Sequence, residues 1–68
     1  MRANIEAERG RAGMSKLDLC RRLEITDKTY RRYISGGAIP SNKLLLMADL
    51  FDCSVDYLLE LTEKRNAH

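Results

Sequence analysis

The sequence predicts a small all-α domain of five helices, and three observations lead to that prediction. The chain has 68 residues, 44% of them hydrophobic, with few aromatic residues and one proline, which suits a compact helical protein near the lower size limit for a self-supporting core. Apolar residues recur at helical spacing, and no segment alternates as a strand would. Glycine, proline and N-capping residues separate the helical segments. One domain is therefore predicted over residues 1–63, followed by a flexible tail at residues 64–68.

The first predicted helix covers residues 2–12, a charged segment with Asn4 as its candidate N-cap. Its thin apolar stripe predicts partial burial. Gly13 is expected to end the helix in a left-handed conformation, which would fold Met14 back onto the core.

The second predicted helix begins after Ser15 and runs to about Leu23. Ser15 and Asp18 form an approximate capping box, in which each side chain accepts from the backbone of the other residue. The apolar face of this helix comprises Leu19, Cys20 and Leu23. This spacing predicts a short helix that packs on the core by one side.

The third predicted helix starts at Asp27 or Lys28, ends at about Ser35, and has Thr26 or Asp27 as its N-cap. Its apolar face comprises Tyr30, Tyr33 and Ile34. At this spacing the tyrosines are expected in the core rather than stacked on nucleic-acid bases. Because only residues 24–26 separate this helix from the second one, the two must cross steeply, as in a helix-turn-helix.

The last two predicted helices carry more apolar residues than one small core can cover. Ser41, after the loop at residues 36–40, is expected to cap the fourth helix, and Ser54 to cap a fifth that runs to about Leu61. The core stripe of the fourth helix consists of Leu44, Met47, Ala48 and Phe51. The surplus predicts a homodimer. Its expected interface comprises Leu50, Val55, Leu58, Leu59 and Leu61.

Basic side chains are concentrated in the first half of the chain. Residues 1–35 contain nine basic and five acidic side chains, a net charge of +4, whereas residues 36–68 contain three and five, a net charge of −2. Such segregation fits a protein that places one face on a polyanion. In the third helix Lys28, Arg31 and Arg32 point away from the apolar face, as they would on a helix that reads DNA.

Several other classes of protein are disfavoured by the sequence. No apolar run approaches the roughly 20 residues that span a bilayer, and Met1 precedes a charged segment rather than a signal peptide, so no membrane association and a cytoplasmic location are expected. Cys20 and Cys53 lack a CxxC or histidine cluster, and His68 ends the chain, so no metal site is expected. The sequence offers no nucleophile–base pair, so an enzyme is not expected.

Three segments carry a resemblance to a known family. Residues 5–13 read IEAERGRAG, residues 14–23 read MSKLDLCRRL, and residues 54–59 read SVDYLL. In this order they resemble the lambda-repressor-like, Cro-type helix-turn-helix family, often called XRE-like, over nearly the whole chain. The resemblance implies a compact five-helix domain with its DNA-binding motif at helices two and three.

The sequence departs from this family's pattern at several positions. Lys16 stands where many members have a phosphate-binding glutamine. Glu24 stands where a turn glycine or asparagine is common, and Asp52 where a glycine is common, so both are expected in left-handed conformations at a cost of about 1 kcal/mol each. Ile34 replaces a glutamate that often pairs with an arginine of the first helix, so Arg9 needs another partner.

The resemblance also implies which residues contact DNA. By the family's pattern the base-reading positions fall on Asp27, Lys28, Thr29 and Arg32. Arginine or lysine suits a guanine, Asp27 could accept from a cytosine amine, and the methyl group of Thr29 could meet a thymine methyl. Asp27 has a second interpretation as the N-cap. Phosphate contacts are expected from Ser15, Lys16, Arg31 and Ser35.

Together these features predict a sequence-specific transcriptional regulator, expected to be a nucleoid-associated repressor. It would bind palindromic sites in double-stranded DNA as a homodimer, with the helix at about residues 27–35 in the major groove. No cofactor and no small-molecule ligand are expected. The alternative is that the fold serves as a protein-interaction module of the antitoxin or anti-repressor type, with little DNA binding.

Overall fold

The computed structural model describes residues 1–65, which form five α-helices and no strand. The helices are Ala3–Arg11 (α1), Lys16–Leu23 (α2), Asp27–Ser35 (α3), Ser41–Phe51 (α4) and Val55–Leu58 (α5). The predicted all-α, five-helix architecture is therefore confirmed. Within the same residues, no helix combines the length and apolar character that crossing a membrane requires.

All five helices contribute to a single hydrophobic core. Its buried residues are Ile5, Leu19, Cys20, Leu23, Tyr30, Met47, Phe51 and Leu58. Ile34, Leu44 and Ala48, also predicted for the core, are half-buried at its edge. Both cysteines are free thiols, and burial raises the pKa of each, as expected of small packing residues.

Serine and threonine side chains begin three of the helices. Ser15 and Asp18 form the predicted capping box on α2, and Ser54 Oγ accepts from the backbone N–H of Tyr57 at 3.1 Å. For α3 the cap is Thr26, which accepts from the N–H of Thr29 at 3.1 Å. The alternative of Asp27 as the N-cap is wrong, because Thr26 already occupies that position and Asp27 is the first helical residue.

Two other predicted N-caps are wrong. Arg2, not Asn4, occupies the N-cap position of α1, and the Asn4 amide instead donates to the Tyr57 carbonyl at 2.8 Å. Ser41 is the first residue of α4, directly after Pro40, and makes no capping hydrogen bond. The ring of Pro40 fixes φ but offers no capping side chain. Nothing in the local sequence shows that Arg2 and Pro40, and not Asn4 and Ser41, occupy the N-cap positions.

Every helix of the described chain ends in the same hydrogen-bonding pattern, the Schellman motif. A backbone N–H donates to the carbonyl five residues earlier in Met14–Arg9 (3.1 Å), Ile25–Cys20 (3.0 Å), Gly37–Arg32 (2.7 Å), Cys53–Ala48 (3.0 Å) and Leu61–Asp56 (2.9 Å). The residue before each donor has positive φ, namely Gly13, Glu24, Gly36, Asp52 and Glu60. The left-handed conformations predicted for Gly13, Glu24 and Asp52 are confirmed.

The C-terminal part of the domain differs from the prediction. Helix α5 ends at Leu58 rather than near Leu61, because Glu60 turns left-handed with φ of 64°. The flexible tail predicted from residue 64 is wrong for Arg65, whose carbonyl accepts from the Ser54 N–H at 2.9 Å and whose guanidinium donates to Glu8 at 3.0 Å. The rest of that predicted tail, with His68, lies outside the described residues.

Candidate nucleic-acid interface

Helices α2 and α3 form a helix-turn-helix whose turn is held by contacts on its core side. Ile25 packs against the core between the two helices. The buried Cys20 thiol donates a long hydrogen bond to the Thr26 carbonyl, with a sulfur–oxygen distance of 3.9 Å. A small residue at position 20 therefore lets the start of α3 approach α2 closely.

The two faces of α3 differ sharply in character. Tyr30 and Tyr33 are buried, which confirms that they are core residues. Lys28, Arg31 and Arg32 are exposed on the other side of the helix. Residues 15–36 hold six basic and three acidic side chains, 6 − 3 = +3, so the solvent side of this motif is cationic.

The four predicted base-contacting residues lie at the start and on the open side of α3. Lys28 and Arg32 extend into solvent. Thr29 is half-buried, and its hydroxyl accepts a hydrogen bond from the Thr26 hydroxyl at 3.1 Å. The fourth residue, Asp27, forms an ion pair along the same helix with Arg31, in which Nε and Oδ2 are 2.8 Å apart.

The ion pair between Asp27 and Arg31 is easily broken. The side chains are 56% and 76% exposed, and an exposed pair at this spacing contributes only about 0.3–0.5 kcal/mol. A phosphate oxygen can therefore take the place of Asp27 beside Arg31 at little cost in free energy.

Three of the four predicted phosphate-contacting residues surround one surface cavity. Lys16, Arg31 and Ser35 line a 230 Å³ depression between the starts of α1 and α2 and the side of α3, with Tyr30 and Ile34 as its apolar wall. The Glu6 carboxylate lines the same depression, and the Ser35 hydroxyl donates to the Arg32 carbonyl at 3.1 Å, so Lys16 and Arg31 are the groups here that can meet a phosphate.

The fourth predicted phosphate contact requires a correction. The backbone N–H of Ser15 is not free to bind an anion, because it donates to the Asp18 carboxylate at 3.1 Å. Ser15 Oγ in turn accepts from the Asp18 N–H at 3.0 Å. The N–H groups of Lys16 and Leu17 follow in the first turn, where helix geometry supplies no intrahelical acceptor. They are the donors that α2 offers to a phosphate.

Helix α1 is bonded to the middle of α3 through Glu6. The Tyr30 hydroxyl donates to Glu6 at 2.9 Å, and Arg9 Nε donates to the same carboxylate oxygen at 2.6 Å. Burial raises the pKa of Glu6, but the hydrogen bonds from Arg9 and Tyr30 outweigh it and leave the pKa lowered. Burial, followed by the hydrogen bond to Glu6, raises the pKa of Tyr30. Arg9, which lacks the usual glutamate partner, thus finds Glu6 and also donates to the Met14 carbonyl at 2.7 Å.

Sequence analysis missed the roles of Glu6 and of Arg2. The spacing of three residues between Glu6 and Arg9 is a recognisable helical ion-pair signal. Arg2 offers no such signal, because its guanidinium bonds to carbonyls at the end of α3, more than 30 residues away.

The predicted dimer residues do not form one exposed patch. Leu58 is fully buried in its own chain, so its predicted place in the interface is wrong. Leu50, Val55 and Leu59 are half-buried. Leu61, beyond the end of α5, is 71% exposed.

Comparison with known proteins decides the family. The sequence model of a helix-turn-helix family matches residues 5–58, from the first core residue of α1 to the last residue of α5. The chain belongs to the lambda-repressor-like, Cro-type helix-turn-helix family. No curated protein and no solved structure matches it. Like the family as a whole, this helix-turn-helix domain is a DNA-binding regulator.

Proposed function

We propose that this helix-turn-helix protein is a transcriptional repressor that binds palindromic operators as a homodimer, with α3 in the major groove. The observation that carries the proposal is the outer face of α3. It presents Lys28, Arg31 and Arg32 to solvent while Tyr30 and Tyr33 hold the helix on the core. A helix so anchored can enter a groove without losing its packing.

Asp27, Lys28 and Thr29 at the start of α3, and Arg32 in its last turn, supply the base contacts in this proposal. Arg32 or Lys28 donates to the O6 and N7 acceptors of a guanine. The Thr29 hydroxyl is engaged with Thr26, which leaves its methyl group to meet a thymine methyl. Asp27 accepts from a cytosine amine.

Binding to the DNA phosphates breaks the ion pair between Asp27 and Arg31 in this proposal. Arg31 leaves Asp27 for the DNA backbone and joins Lys16 and Ser35 around the cavity that these three residues line. Release of Arg31 frees the Asp27 carboxylate for its base contact.

The homodimer in this proposal uses the apolar surface of α4, α5 and the segment after them. Leu61 is the exposed residue of the set, with Leu50, Val55 and Leu59 at its edge, and Leu58 is left out because its own core encloses it. Two-fold pairing through this surface places both α3 helices on the same side of the dimer. Bound in this way, the protein represses by occluding polymerase.

A second candidate function is a protein-interaction module of the antitoxin or anti-repressor type. It is favoured by the outer side of α4, where Leu45 and Leu46 are 63% and 41% exposed. This candidate requires no DNA binding, so a gel shift with sheared DNA at low salt separates the two.

Two substitutions on α3 test whether Arg31 contacts a phosphate and Arg32 contacts a base. Arg31→Ala is expected to weaken binding to all sequences equally and to reduce the slope of log affinity against log salt by about 0.9. Arg32→Ala is expected to relax base preference at one position, at a cost of about 1–3 kcal/mol for the preferred base. Affinity for a panel of single-base operator variants, measured at several salt concentrations, checks both results.

Lys64→Ala is the matched control, because it removes an exposed positive charge far along the chain from α3. It is expected to leave both slope and preference unchanged. Uniform loss of affinity in both α3 variants contradicts the assignment of separate phosphate and base contacts.

A further inference from the structure

We propose that Arg2 is a positioning residue for DNA reading, which fixes the carboxyl end of α3 so that Arg32 is presented in one orientation. This inference rests on the proposed role of α3 as the recognition helix. Arg2 is half-buried and precedes α1. The hydrogen bonds that Arg2 donates all go to the end of α3 and the two residues after it, and we name this set of bonds the Arg2 clamp.

The Arg2 clamp consists of four hydrogen bonds. The guanidinium donates through Nη1 to the carbonyls of Tyr33 (2.7 Å) and Gly37 (2.5 Å), and through Nη2 to that of Gly36 (3.4 Å). The backbone N–H of Arg2 donates to the Ile34 carbonyl at 2.7 Å.

These bonds satisfy groups that a helix cannot satisfy itself. The last carbonyls of an α-helix have no intrahelical donor, and Arg2 supplies one to Tyr33 from its side chain and one to Ile34 from its backbone. A cation at this end also meets the negative end of the helix dipole. The planar guanidinium can serve several carbonyls at fixed angles, whereas a lysine ammonium is a compact point charge.

The turn that the clamp holds carries Arg32 and Ser35, two of the proposed DNA contacts. The Arg32 carbonyl accepts from the Gly37 N–H at 2.7 Å and from the Ser35 hydroxyl at 3.1 Å. The chain is so close there that a Cβ on Gly37 would lie 2.9 Å from the Arg32 carbonyl oxygen. Arg2 and Gly37 therefore both contact the last turn of α3, from which the Arg32 side chain extends.

Helix α1 thus holds α3 at two points. Glu6 binds the Tyr30 hydroxyl in the middle of α3, and Arg2 holds its end. With only the first point in place, the last turn of α3 keeps the bonds from the Gly36 and Gly37 N–H groups but loses those from Arg2. We therefore expect it to fray more often and Arg32 to lose its fixed direction toward a base. Phosphate contacts depend less on direction, since they are dominated by charge.

A positioning role makes a prediction that differs from that of a direct phosphate contact. Three N–H groups of the Arg2 guanidinium donate to carbonyls, so we expect Arg2 to act by holding the helix end and not by contacting a phosphate. Arg2→Lys, which keeps the charge but not the fork, is expected to lower affinity for a selected operator by about tenfold, the effect of losing one or two hydrogen bonds. Affinity for sheared DNA is expected to change less than about twofold, with an unchanged salt slope.

The experiment measures Arg2→Lys and Arg2→Ala beside Arg11→Lys, an exposed arginine-to-lysine control at the opposite end of α1. Each affinity is referred to the folded fraction determined by circular dichroism. Amide hydrogen exchange at Gly36 and Gly37, which close the end of α3, is expected to accelerate in both Arg2 variants and not in the control.

Three results overturn the proposal. In Arg2→Ala, which removes the charge, equal losses on operator and sheared DNA with a salt slope reduced by about 0.9 identify Arg2 as a phosphate contact. An unchanged ratio of specific to non-specific affinity shows that Arg2 has no role in reading. Unchanged exchange at Gly36 and Gly37 shows that Arg2 does not hold the helix end. This last measurement also stands if the wild-type protein binds no DNA, an outcome that contradicts the proposed function instead.

Discussion

Two carboxylates on α1 accept hydrogen bonds from different parts of the domain. Glu6 accepts from Arg9 and from Tyr30 of α3. Glu8 is only 3% exposed and accepts from the Tyr57 hydroxyl at 3.3 Å and from Arg65 at 3.0 Å. A buried carboxylate is tolerated only where donors surround it. At this scale the sequence shows two ordinary helical glutamates, and only the fold brings their partners to them.

The pKa of Glu6 predicts how its contribution to stability varies with pH. Because the folded-state pKa is lowered from the ordinary value of 4.5, the stabilisation is present above that value and is lost as the pH falls through the lowered one. Glu6→Gln is therefore expected to reduce the free energy of unfolding by about 1 kcal/mol at pH 7 and by progressively less as the pH falls through the lowered pKa.

Urea denaturation from pH 3 to pH 7 measures this difference. Asp49→Asn, at an exposed carboxylate on α4, is the control and is expected to show no comparable pH dependence. A Glu6→Gln deficit of the same size at every pH shows that the ionised carboxylate is not what stabilises the contact.

At the scale of helices, local sequence signals predict only some of the termini, since Ser41 precedes an apolar run as Ser15 and Ser54 do but makes no capping hydrogen bond. The caps at Ser15 and Ser54 were predicted because a hydroxyl residue before an apolar run is a local signal. The end of α5 was not, because Glu60 takes a left-handed conformation without glycine. Glu24 and Asp52 do the same and were predicted only by comparison with the family's pattern. A single sequence contains no local signal that an aspartate or a glutamate will adopt this backbone conformation.

The end of the described chain is bonded to α1, and this gives a second stability prediction. Glu8→Gln keeps the shape of the side chain but weakens its bonds to Tyr57 and Arg65. It is expected to lower the free energy of unfolding by about 1–3 kcal/mol, whereas Glu63→Gln, at an exposed site, is expected to stay within about 0.5 kcal/mol.

A double-mutant cycle of Glu8→Gln with Arg65→Met tests whether the two residues act together. Because each substitution removes the same interaction, their combined effect is expected to be smaller than the sum of the single effects. Strict additivity contradicts the docking of Arg65 on Glu8.

At the scale of the whole molecule, α1 and the residue before it make hydrogen bonds to α3, to α5 and to the end of the described chain. Local patterns were sufficient to predict five helices, the core faces of α2 and α3, and the cationic side of the motif. They could not predict the bonds that hold α1 to the ends of other helices. Arg2 reaches carbonyls 31 and 35 residues away, and Arg65 reaches Glu8 across 57 residues. Contacts at such separations leave no periodicity to detect.

The proposed dimer also belongs to this scale. The burial of Leu58 and the early end of α5 leave a smaller apolar surface than the sequence predicts, centred on Leu61. One small domain contacts too few base pairs to select a site among the many competitors in a genome. A paired domain doubles the contacts, so dimerisation and site selection belong to the same proposal.

Selection of bound sequences from a random pool of double-stranded DNA tests the central proposal most directly. The expected product is an inverted repeat whose half-sites are about 10 bp apart from centre to centre, or a multiple of that spacing, with at least one guanine that Arg32→Ala ceases to prefer. Leu61→Lys is expected to bind a single half-site weakly. A pool with no enriched sequence, from a protein that also fails to shift sheared DNA at low salt, contradicts the account and favours the protein-interaction module.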